Sequence, residues 1–391
     1  MASPNPSHGR RRACLLIPAG FVLLCVLATA VSALSNAALP RGSSVLERLP
    51  ALEKARLSEA LHLRKALGEE VWPGWSEADI PLIVYNEGYA FLIGLANPAD
   101  GWKKVPALER RGGPWEQVPG EVFEGQPYYR TPITDPQKTP EGFTVLVGER
   151  WAATFETREY GEVAFCQGLR ADLPPVIRDV IPVRLAWEAL MGKTESYIAA
   201  LEHESFHAYE GMAAPDRLAA SERMYSVAET YPFDGMAESW EREMEALVQA
   251  ARAADGDQAR TLARQFLELR AERRAGLTPG QVELERLREW EEGLAKYAEL
   301  EISRRAGTEA GYRPVEGILA DPDFKSYAGQ EQFWLQQLGE AKNTQGRSGD
   351  ARFYYSGNAL AVVLDRLLPG WKLRALPGGE YLDDLLVKAV R

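Results

Sequence analysis

The segment His203-Glu204-Ser205-Phe206-His207 constrains this 391-residue chain more than any other feature. Two histidines four residues apart project from one face of an α-helix, so both imidazoles can reach a single metal ion. Glu204, beside the first histidine, can reach water at the same ion. In zinc hydrolases such a carboxylate takes a proton from the attacking water, whose pKa zinc lowers to about 7. The chain has only four histidines, and none follows His207. A catalytic zinc takes three protein ligands and keeps one open position. With no later histidine to supply it, the third ligand is expected to be a carboxylate.

Several carboxylates compete for that place. Glu292 opens Glu292-Gly293-Leu294-Ala295-Lys296-Tyr297, in a segment with a clear helix start: Thr278 as N-cap, Pro279 at the first position, Gln281 three residues after the cap. This resembles the E-G-[FL]-A-x-Y segment of gluzincin aminopeptidases, in which the leading Glu binds zinc. Glu243, in Glu243-Met244-Glu245-Ala246-Leu247, resembles the E-x-x-A signature of membrane-associated zincins. Asp234 opens Asp234-Gly235-Met236-Ala237-Glu238, and Glu238 fits the G-x-x-E of thermolysin-like enzymes. Glu292 is taken provisionally as the ligand, with Glu243, Glu238 and Asp234 left open. Asn86-Glu87-Gly88-Tyr89-Ala90 looks similar but lies upstream, among β-type runs, and reads as strand and turn.

Further blocks extend the likeness over roughly residues 195–370: Phe266-Leu-Glu-Leu-Arg, Glu289-Trp-Glu-Glu-Gly-Leu-Ala-Lys-Tyr, and Tyr354-Tyr-Ser-Gly with Leu364-Asp365. Together they resemble a group of exported bacterial zincin-like proteins. Glu210 and Lys296 depart from the pattern, where Gln and Glu are usual. The resemblance implies a zinc metallopeptidase fold acting on a peptide or protein substrate. It also implies an oxyanion-stabilising side chain, for which Tyr354 or Tyr355 is available; Tyr355 is taken as the catalytic one, just before a helix expected from Gly357 to Leu368. A second partner for a zinc-bound imidazole is expected from Glu289 or Glu243. Glu87 and Glu121 are available should the enzyme need an acidic subsite for a free amine. Two other readings stay open: a non-catalytic envelope protein with a vestigial metal site, and a zinc hydrolase of non-peptide amides or esters.

The N-terminus bears on location. Arg10, Arg11 and Arg12 precede an uncharged run from Ala13 to Ala33 ending in Val31-Ser32-Ala33, the layout of a secretory signal. The run is also long enough to be kept as a membrane anchor. Either way the bulk of the chain is expected outside the cytoplasm, touching a membrane only through this segment. Cys14 and Cys25 lie in it, which leaves Cys166 without an internal disulfide partner. A net charge of −11 excludes a basic stripe for nucleic acid.

The rest sorts by texture. Residues 44–69 carry leucines at helical spacing, interrupted at Pro50. From about Asp79 to Gly168, short β-type runs such as Phe143-Thr-Val-Leu-Val alternate with Gly and Pro clusters. Helical patterns then dominate, at about 194–212, 235–254, 258–275 and 279–305. The expected fold class is α+β, zincin-like: a small, mostly antiparallel sheet followed by a largely helical metal-binding part. The expected divisions are 1–33 (signal or anchor), 34–74 (helical), 75–190 (β-rich) and 191–391 (helical, catalytic).

Overall fold

In the computed structural model, which describes residues 27, 29–178, 180–344 and 349–391, the β-type runs pair into one eight-stranded sheet. The strands are β1 (Leu82–Tyr85), β2 (Tyr89–Ile93), β3 (Trp102–Lys104), β4 (Arg110–Arg111), β5 (Glu116–Phe123), β6 (Gln126–Pro132), β7 (Phe143–Val147) and β8 (Arg150–Glu156). Their order is β4-β3-β7-β8-β1-β2-β6-β5, larger than the small sheet expected. All neighbours are antiparallel except β1 and β8, which run parallel. The β1–β2 turn is Asn86-Glu87-Gly88, where the Asn86 side-chain oxygen accepts from the Gly88 and Tyr89 amides. This Asx-type turn is why a segment that looks like a ligand helix forms a hairpin instead.

Strands end at Glu156, and the next element is the helix Arg158–Asp172, so the β-rich division expected to reach 190 stops some 30 residues earlier. Val163 and Cys166 point into a core there. A helix spans Ala51–Val71 with Pro50 as its N-cap. Pro50 therefore starts a helix that the leucine pattern suggested it would interrupt; proline's fixed φ suits a helix entrance.

The motif lies on the helix Thr194–Ala213, here the motif helix, which packs on β7 and β8. Phe206, inside the motif, lies to one side of the histidines. Its ring meets Trp72 and Trp75 edge-on at 5.2 Å each. Burying such a ring contributes roughly 1.5–3 kcal/mol, which anchors that side of the helix. Gly211, near its end, lets β8 approach: a Cβ there would lie 2.5 Å from the Trp151 ring.

Helices Ala237–Arg252 and Gly256–Arg274 form an antiparallel pair. The long helix Pro279–Thr308 follows, with the full capping box of Thr278 and Gln281. It crosses the helix Ala351–Leu367 at Gly293 and Gly357, where a Cβ on Gly293 would stand 2.4 Å from the Gly357 Cα. That last helix begins six residues before the expected Gly357.

The described residues form two compact units with interleaved sequence. One comprises Val45–Thr157 and Thr194–Arg391, so the sheet and the helices that carry His203, His207 and Glu292 share a unit. The other comprises Arg158–Lys193 with the described residues up to Ser44. The chain is thus α+β.

Candidate metal centre

Helical spacing brings His203 and His207 to one face, and the crossing of the long helix over the motif helix brings Glu292 to both. The Nε2 atoms of the two histidines are 3.1 Å apart. Glu292 Oε2 lies 3.3 Å from His203 Nε2 and 3.2 Å from His207 Nε2. A tetrahedral ion with bonds of about 2.0–2.1 Å spaces its ligand atoms by roughly 3.3–3.4 Å. The three atoms therefore already form one face of such a tetrahedron. Among the described residues this is the one cluster of its kind.

The other ring nitrogens explain why these two face inward. His203 Nδ1 meets Glu299 Oε2 at 3.2 Å, and His207 Nδ1 meets Glu210 Oε2 at 2.8 Å. A carboxylate at Nδ1 keeps a proton there and leaves Nε2 free to bind metal. Neither Glu299 nor Glu210 was a candidate. The signals were the i,i+3 spacing from His207 to Glu210 and the two helical turns from Glu292 to Glu299, which place each partner on its ligand's face. Both departures from the family pattern fall here: Glu210 itself, and Lys296, whose Nζ holds Glu299 Oε1 at 2.7 Å.

Glu292 is held from its other side. Arg288, one turn earlier, donates to Glu292 Oε1 at 2.8 Å and also reaches Glu291, Glu222 and Asp350. Tyr354 stacks parallel on the His203 ring, with centroids 5.7 Å apart and planes 6° off parallel, and its hydroxyl is pushed up by burial and by the neighbouring Glu292 carboxylate. Of the two tyrosines, Tyr354 and not the expected Tyr355 lies beside the histidines: within the first turns of their helix, neighbours point about 100° apart, and Tyr355 packs against the hydrophobic core. Phe143, at the start of β7, lies against the His207 ring at 5.0 Å.

The other candidates lie elsewhere. Glu243, fully buried, pairs with Arg270 at 2.7 Å and Arg273 at 2.5 Å. Glu289 takes two bonds from Arg270, at 2.6 and 2.8 Å, and one from Ser356 at 2.7 Å. Neither serves as second partner to a histidine: arginines of the helix Gly256–Arg274 have claimed both. Asp234 and Glu238 are exposed. Glu87 is exposed in its turn, and Glu121 pairs with Lys54. His62 is also exposed, stacked on Tyr312.

Electrostatics single out Glu204. His203, His207 and Glu292 are buried, whereas Glu204 keeps partial exposure. Its Oε2 has no hydrogen-bond partner, and its Oε1 lies beside the Gly142 backbone at the entrance to β7. Burial, together with the nearby Glu292 and Glu299 carboxylates, pushes Glu204 up to about 8, against an opposing pull from His203. Burial also works against a charged His203, but its bonds to Glu292 and Glu299 prevail and lift it to about 10. For His207 burial prevails and lowers it to about 4. The pair thus carries one proton beyond two neutral imidazoles at neutral pH, which a bound dication would displace.

Comparison of the chain with protein-family models, curated proteins and solved structures returns no match.

Proposed function

We propose that this protein is a zinc-dependent hydrolase of the zincin type, acting outside the cytoplasm as a metallopeptidase on peptide or protein substrates. The observation that carries the proposal is the convergence of His203, His207 and Glu292 beside an unpartnered Glu204. A purely structural zinc site has a closed set of four ligands and no use for such a base. Here three ligands and a free carboxylate leave room for a reacting group.

Zinc, held by the three side chains, would supply a Lewis acid and lower the pKa of water. The chain's own residues do the rest. Glu204 accepts a proton from the attacking water and passes it to the leaving amine nitrogen; its upward-shifted pKa suits both directions of transfer near neutral pH. Glu210 and Glu299 fix the tautomer and tilt of the two imidazoles. Arg288 keeps Glu292 ionised and aimed, while Tyr354 covers His203. Gly142 and Phe143 border the site from the sheet and place a strand end beside the base.

The test is Glu204→Gln. The variant should bind one zinc per chain and lose hydrolysis of an unstructured protein substrate by about 10²–10⁴-fold, the usual contribution of a positioned base. Unchanged turnover would remove Glu204 from the mechanism. Absence of zinc from the native chain at neutral pH would remove the metal reading altogether.

A further inference from the structure

The smaller unit carries an apolar surface that its own interior does not use. Its core is built from Cys166, Val183 and Trp187, with Leu39, Phe165, Leu169, Leu173 and Ile181 packed around them. Asn36 ties two segments of the unit together, donating to Ile181 O at 2.8 Å and accepting from the Val183 amide at 3.1 Å. Beyond that core, Ile177, Val180, Leu185, Leu190 and Met191 remain 41, 42, 52, 68 and 40% exposed. Five large apolar side chains exposed within fifteen residues mark an interaction surface; single ones scattered over a protein do not.

We propose that this surface, Ile177 to Met191, seats the smaller unit on a phospholipid bilayer. Three observations select lipid as the occupant. The first is continuity: this unit receives the chain directly from the uncharged run Ala13–Ala33, the stretch suited to enter a bilayer. Leu34, just beyond it, is 74% exposed.

The second is charge. Up to Ser44 the chain carries Arg10, Arg11, Arg12 and Arg41 and no acidic residue, and Arg158–Lys193 holds as many acids as cations. The excess acid of a chain at −11 therefore lies entirely in the other unit. An anionic membrane surface attracts the first and repels the second.

The third is the rim. Arg178, Arg184 and Lys193 stand among the apolar residues, and their long stems can lie along lipid while the cations reach phosphate. Of the two acids in this stretch, Glu188 is neutralised by Arg184 at 3.1 Å, and Asp179 lies outside the described residues. The helix Val183–Leu190 has eight residues, far short of the ~20 that span a bilayer. Among the described residues no helix is long and apolar enough to cross one, so the contact is a surface seat.

The test uses the full chain, reconstituted in phosphatidylcholine–phosphatidylglycerol vesicles containing a lipid with a photoactivatable acyl chain. Adducts are mapped by mass spectrometry. Lipid adducts are expected within residues 177–191 in addition to those within 13–33. The double variant L185E/L190E changes two exposed positions, and unchanged circular dichroism checks its fold. It should lose about nine-tenths of the adducts in 177–191 and keep those in 13–33. Adducts confined to 13–33, an unchanged yield in the variant, or chain-to-chain cross-links at Leu190 in place of lipid adducts would each overturn the proposal.

Discussion

Each imidazole at the metal centre has one nitrogen on a carboxylate partner and the other turned toward Glu292, so neither ring has freedom left to rotate. This places Glu210 and Glu299 among the residues that set metal affinity, though neither would touch the ion. Glu210→Ala and Glu299→Ala are each expected to weaken zinc binding by about 10–100-fold, measured by competition with a chromophoric chelator. Glu292→Gln should do more, since it removes a ligand charge. Glu243→Gln serves as the contrast: it removes a buried charge shared by Arg270 and Arg273, which keep Glu289 and Glu285 as partners, and should lower stability by about 1–3 kcal/mol. Equal zinc affinities for the folded Glu292→Gln and Glu243→Gln chains would contradict the ligand assignment. The two glutamates are chemically identical; what separates them is whether an arginine or a histidine pair waits across the helix interface.

At the scale of elements, the centre depends on how closely two helices cross. Gly293 directly follows Glu292, and its missing side chain lets the helix Ala351–Leu367 come within backbone contact at Gly357. The same approach brings Tyr354 over His203. Gly293→Ala inserts a methyl where none fits and should destabilise the chain by about 1–3 kcal/mol, read as a lower midpoint in urea at unchanged slope. By pushing the helices apart it should also weaken zinc binding. A variant with native affinity would show that Glu292 is placed by its own helix alone. The neighbouring pair Ala237–Arg252 and Gly256–Arg274 supplies none of the three candidate ligands. Its Arg270 and Arg273, bonded to Glu289 and Glu285, instead fix the register of the long helix that carries Glu292.

Across the whole molecule, buried ion pairs connect the helices and make stability depend on acid. Burial would raise Glu285, but Arg273 and Arg274 prevail and hold it at about 2; Asp383, likewise buried, is held at about 2 by Arg274, Arg270 and Arg286. Folded-state values below those of the unfolded chain contribute stability above the ordinary carboxylate range, and that stability is lost as pH falls through the folded value. Thermal midpoints should therefore change little from about pH 7 to 5 and fall steeply between about pH 4 and 2. A midpoint that held through pH 3 would contradict these pairings. Zinc acts on the same equilibrium. At free zinc near 100 times its Kd, the folded state gains about 2.7 kcal/mol, so chelation should lower the thermal midpoint by several degrees, while Glu292→Gln should show no such response.

The residue pattern alone determined a good deal of this protein. Four-residue spacing puts His203 and His207 on one face and Glu204 beside them, since helical periodicity is local. The long helix and its capping box could be read from Thr278, Pro279 and Gln281 because a helix start is also written in neighbouring residues. Other matters were decided only when distant segments met. The choice of Glu292 over Glu243, Tyr354 over Tyr355, and Glu210 with Glu299 over Glu289 depends on which helix faces which, and buried carboxylates differ only in the partners across that interface. The sheet joined the motif helix in one unit, rather than standing as a division of its own, for the same reason: Phe143 of β7 lies against the His207 ring and Trp151 of β8 against Gly211. Two histidines and a base belong to the sequence; the centre they join belongs to the packing.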